Sequence, residues 1–151
     1  MNKRWAMIFG AAFVLVGLLG YVPNPLIGPD GLFMTNGAHN MAHLLIGVVL
    51  LVASTQTERA AYLSNMTFGA VYGLLAIMGF ASIGTEGHSN LLGVVHINGA
   101  DNWLHLFLAV TMIGVAMAAH RSHTHVGVHS ANAGEGPARR SLAYRPPWWA
   151  P

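Results

Sequence analysis

Four apolar runs divide the chain, and the polar stretches between them mark where each begins and stops. The first covers residues 5–22 and halts at Pro23-Asn24-Pro25, where proline removes backbone donors and disfavours a preceding helical turn. The second starts at Asn36, a good N-cap, and runs over 36–54. A short polar connection, Ser54 to Arg59, leads into the third at 60–83. The fourth covers 98–119. At about 1.5 Å rise per residue the second and fourth runs are near the lower limit for a hydrocarbon core about 30 Å thick. The pattern predicts four transmembrane helices. The connections at 26–35 and 84–97 are rich in turn-forming residues, with Gly28-Pro29-Asp30-Gly31 a strong turn signal.

Composition supports this division. Apolar residues make up 54% of the chain and charged residues 8%, against roughly 25% charged in an ordinary soluble domain. Met1-Asn2-Lys3-Arg4 resembles the start of a signal peptide. The apolar run that follows is longer than a signal core and lacks a small-x-small cleavage site, so an uncleaved first span is expected. Lys and Arg form no stripe, which leaves nucleic-acid binding without support. Cysteine is absent, so disulfides, thiolate metal sites and thiol nucleophiles are excluded.

Charge placement gives an orientation. Lys3 and Arg4 precede the first helix, Arg59 lies between the second and third, and Arg121 follows the fourth. The other two connections carry Asp30 and Glu86 and no Lys or Arg. The positive-inside rule then places both termini in the cytoplasm of a multi-pass protein of the inner cell membrane. Residues 123–151 hold His123, His125 and His129 and end in Trp148-Trp149. They read as a flexible cytoplasmic tail, and its aromatic end suits a membrane interface or a partner.

One motif occurs twice. Residues 36–44 and 98–106 both read N-G-A-x-N-x-x-H-L, 62 positions apart. At that offset Gly17 also meets Gly79 and Gly31 meets Gly93, which predicts two helix-pair repeats related by an axis along the membrane normal. Asn36, Asn40, His43 and Gly47 share one helical face, and Asn98, Asn102, His105 and Ala109 repeat it. His39 and Asp101 sit beside these faces.

The motif pair resembles the bacterial four-helix membrane proteins catalogued as domain of unknown function 4383. His39, Asn40, His43, Asp101, Asn102 and His105 carry the match, and the likeness spans about residues 5–120. The resemblance implies an all-α four-helix fold and a membrane location, and brings no activity with it.

Two readings of the motif follow. In the first, Asn36, Asn40, Asn98 and Asn102 cap helices and bond across them, with Asp101 favoured at a helix N-terminus. The chain is then a small structural or accessory protein that assembles with itself or with a larger membrane complex, Gly69 and Gly73 supplying a small-residue contact surface. In the second, His39, His43, Asp101 and His105 converge as ligands for a transition metal. In a variant of it, His43 and His105 hold a haem or chlorophyll-type pigment. Catalysis has little support, because no nucleophile–base order, phosphate loop or second buried carboxylate accompanies Asp101.

Overall fold

The computed structural model describes the backbone of residues 1–133 and the side chains of residues 1–119. Four helices dominate: α1 (Asn2–Leu19), α2 (Gly37–Thr55), α3 (Glu58–Ile83) and α4 (Gly99–Ala133). The fold is all-α, and each helix is long and apolar enough to cross a membrane. The apolar part of α4 is Gly99–Ala119, and its backbone continues as helix to Ala133, beyond the expected end of the run. Extending a helix needs no apolar face, so hydropathy does not mark its stop. The tail expected from residue 123 lies outside the described side chains, and from residue 134 outside the described backbone.

The helices pair as two hairpins, α1 on α2 and α3 on α4. Within α1–α2 the backbones nearly touch. A Cβ added at Gly10 would lie 2.9 Å from the Gly47 carbonyl, and one at Gly47 would lie 2.8 Å from the Val14 nitrogen. Within α3–α4, Gly69 faces Ile113 and Met112, and Gly73 faces Ala109. The Gly69/Gly73 surface, expected to serve assembly, is thus used inside the chain. In lipid, close approach of small residues replaces the hydrophobic drive available in water.

Ala6, Phe9, Phe13, Leu50, Ala61, Tyr72, Ala109 and Met112 form the core. Large apolar side chains cover the outside instead: Leu15, Ile77 and Val110 are 58%, 68% and 66% exposed. Such a surface is costly in water and at no disadvantage in hydrocarbon.

At one end the N-terminal ammonium of Met1 bonds Glu58 Oε1 at 2.8 Å, and the Asn2 N–H bonds Oε2 at 2.9 Å, tying the start of α1 to that of α3. At the other end the two longer connections carry short strands. Strands β1 (Ile27–Gly28) and β2 (Phe33–Met34) pair in parallel. Strands β3 (His88–Leu91) and β4 (Val95–Asn98) form an antiparallel hairpin, His88 opposite Asn98 and Leu91 opposite Val95. Its three-residue loop contains a turn closed by the Val94 N–H on the Leu91 carbonyl at 3.1 Å, whose central residues Leu92 and Gly93 have φ of 54° and 73°. Positive φ at both central positions is what a type I′ turn requires. Ile27, Thr35, Leu91 and Ile97 are buried, so these connections roof the bundle.

Candidate functional site

The two motif copies lie together beneath this roof. Asn36 caps α2: its Oδ1 accepts the His39 N–H at 3.0 Å, while its Nδ2 donates to the Val94 carbonyl at 2.8 Å. Asn98 does the same for α4. Its Oδ1 accepts the Asp101 N–H at 3.0 Å, and its Nδ2 donates to the Leu32 carbonyl at 2.9 Å. Donor and acceptor of the second cross-link each stand 62 positions from their counterparts in the first.

A second pair of bonds follows the same offset. His39 Nδ1 lies 2.8 Å from the His96 carbonyl, and the Met34 N–H donates to Asp101 Oδ2 at 3.1 Å. Residues 39 and 101 are equivalent in the motif, and 34 and 96, two positions before it, stand at the same offset. One copy places a donor against a carbonyl and the other places an acceptor against an N–H. Asp101 Oδ2 also accepts the Asn98 N–H at 2.8 Å, completing a reciprocal cap. The carbonyl partner makes His39 Nδ1 the protonated nitrogen, which leaves Nε2 as the lone-pair nitrogen of a neutral ring.

The third motif position works within each hairpin. Asn102 is fully buried, packs on Gly79 and donates from Nδ2 to the Gly84 carbonyl at 2.9 Å, satisfying the C-terminus of α3. Asn40 is buried against Gly20 in the other hairpin. Any side chain at Gly20 or Gly79 would displace these amides.

Deeper lie the histidines. The His39 ring is 4.5 Å from His43 and 6.0 Å from His105, centroid to centroid. Phe13 lies 5.8 Å from His43 and stacks on Tyr72 at 5.2 Å, and Tyr72 lies 5.2 Å from His105. Five rings thus close a circuit through all four helices, each contact worth about 0.5–1.5 kcal/mol by analogy with aromatic pairs. Tyr72 was not expected in this cluster. A lone tyrosine mid-helix was its only signal. His96 joins through its carbonyl, and its ring stacks with that of His88 at 6.2 Å.

The structure therefore brings His39, His43 and His105 together, and engages Asp101 Oδ2 with two backbone N–H groups. Among the described residues no three His, Asp or Glu side chains stand in a metal-holding arrangement. The Nδ1 atoms of His43 and His105 are buried without a hydrogen-bond partner, as is the Thr35 hydroxyl. These residues and Asp101 line a cavity of about 320 Å³, otherwise walled by apolar side chains of α1, α4 and the first roof segment.

A family model described as Domain of unknown function (DUF4383) matches residues 3–118, a span that includes both motif copies and all but the outermost residue of the first and fourth apolar helix segments. No curated protein and no solved structure matches the chain.

Proposed function

The chain belongs to this DUF4383 family, and on that premise we propose that it is a small structural or accessory membrane protein, assembling with itself or with a larger membrane complex. The reciprocal pair Asn36–Val94 and Asn98–Leu32 carries this reading. Asn36 and Asn98 cap their helices and fasten one helix hairpin to the other. The matching offsets also support descent of the two hairpins from one duplicated unit. Lys3, Arg4 and Arg59 at one end, against Asp30 and Glu86 at the other, support cytoplasmic termini in a bacterial inner membrane.

A second reading is a metal or haem-type centre at His39, His43 and His105, with Asp101 beside them. The gathered rings favour it. So does the backbone-anchored His39 Nδ1, because ligating histidines commonly donate the other ring nitrogen to a carbonyl.

Elemental analysis and an absorption spectrum of the purified protein, beside a His43→Ala/His105→Ala variant, test the two. Metal-free, colourless protein whose variant is only less stable supports the accessory role. Stoichiometric metal or pigment, lost in the variant, replaces that role with the second reading.

A further inference from the structure

The roof carries an apolar surface that nothing in the bundle covers. Leu26, Leu32, Leu92 and Val94 are 57%, 56%, 74% and 58% exposed, and Tyr21 and Val22, just past α1, are exposed as well. Leu32 and Val94 are the equivalent pair whose carbonyls accept the Asn98 and Asn36 amides. Asp30 and Glu86 are the only Asp, Glu, Lys or Arg residues of the two connections, and both are exposed.

Span length sets this surface against the bilayer. Lys3 and Arg4 hold the start of α1 at one water boundary, and α2 ends there in Ser54 and Thr55, just before Glu58 and Arg59. The apolar lengths of these helices are therefore Trp5–Leu19 and Gly37–Ala53. At about 1.5 Å per residue they measure about 23 and 26 Å, against a hydrocarbon core about 30 Å thick. A remainder of about 4–7 Å falls past the opposite helix ends, where the roof lies, and any tilt enlarges it.

The roof backbone is bonded as that depth demands. In water a loop's N–H and C=O groups can bond solvent, whereas away from water each needs a partner in the chain. The Leu26 N–H donates to Asn24 Oδ1 at 2.9 Å, and its carbonyl accepts the Phe33 N–H at 2.8 Å. The Leu32 N–H donates to the Pro25 carbonyl and the Val94 N–H to the Leu91 carbonyl, both at 3.1 Å. With the two asparagine amides added, all three exposed residues have both backbone groups paired inside the protein.

We infer that the roof lies in the bilayer and not above it. Leu26, Leu32, Leu92 and Val94 sit in the interfacial layer of the leaflet at this end and continue the lipid-facing surface of the helices, while Asp30 and Glu86 reach the water. The partner of this surface is lipid. The inference is independent of the accessory role.

The chain has no cysteine, so Leu32→Cys, Leu92→Cys and Asp30→Cys each accept a single nitrobenzoxadiazole label. The test uses full-length protein, alone in phosphatidylcholine nanodiscs. It compares quenching of the label by a lipid carrying a nitroxide high on its acyl chain with quenching by aqueous iodide. The ratio of lipid to iodide quenching should be several-fold higher at Leu32→Cys and Leu92→Cys than at Asp30→Cys. A ratio no higher than at Asp30→Cys overturns the inference and leaves the patch facing water, open to a partner protein. Helical circular dichroism checks each variant, and Leu26→Cys or Val94→Cys replaces one that loses helix. Because no other protein is present, the outcome stays distinct from success or failure of the accessory role.

Discussion

Asn36 and Asn98 make the same cross-link in opposite directions. Asn36 Nδ2 reaches the Val94 carbonyl at 2.8 Å and Asn98 Nδ2 reaches the Leu32 carbonyl at 2.9 Å, each residue also capping its own helix. A polar group at the mouth of an apolar helix needs partners, and here each copy of the motif finds them in the opposite hairpin.

The equivalent positions His39 and Asp101 are not interchangeable. Asp101→Ala leaves the Met34 and Asn98 N–H groups without their acceptor and should destabilise the protein by about 2 kcal/mol or more. Asp101→Asn keeps an acceptor oxygen and should lose less. His39→Asp sets a carboxylate against the His96 carbonyl and should be at least as damaging as His39→Ala. Thermal unfolding in detergent, followed by circular dichroism, ranks these variants.

The close helix approaches set a steric limit. Gly47→Ala brings a methyl group within 2.9 Å of the Gly10 carbonyl and should destabilise the bundle by about 1–3 kcal/mol. Gly69→Leu should likewise loosen α3 from α4 while leaving the oligomeric state unchanged, because Gly69 faces Ile113 of its own chain. Light scattering coupled to size exclusion, with unfolding measured in parallel, separates the two effects.

Helix number, helix positions and the buried face of each motif are legible in the sequence, because apolar length and helical spacing depend on local pattern. The β3–β4 hairpin is not, since Leu92 in its turn is no usual signal for positive φ. The destination of Gly69/Gly73 is equally hidden, as small-x-x-x-small spacing looks alike whether the partner helix is in the same chain or another. At the site, the motif sets His39 and His43 one turn apart on α2, while their approach to His105 depends on how the helices pack. The Phe13–Tyr72–His105 stack and the carbonyl partner of His39 depend on cross-hairpin geometry that spacing within one helix does not encode.

The absence of cysteine makes the proposed orientation easy to check. Single substitutions Asp30→Cys and Gln56→Cys place a thiol at opposite ends of the bundle. A membrane-impermeant maleimide added to intact cells should label Asp30→Cys and spare Gln56→Cys until the membrane is opened. The reverse pattern would place the termini outside.

The most direct measurement is a double-mutant cycle on Asn36 and Asn98, reading unfolding free energy in detergent. Asn36→Ala and Asn98→Ala should each lose about 1–2 kcal/mol, from a cap and a cross-link together. The double variant should depart from the sum by about 0.5 kcal/mol or more, because both bonds fasten the same two hairpins. Single variants as stable as the native chain, with a double variant no weaker, would contradict the account of the motif as the fastening between hairpins.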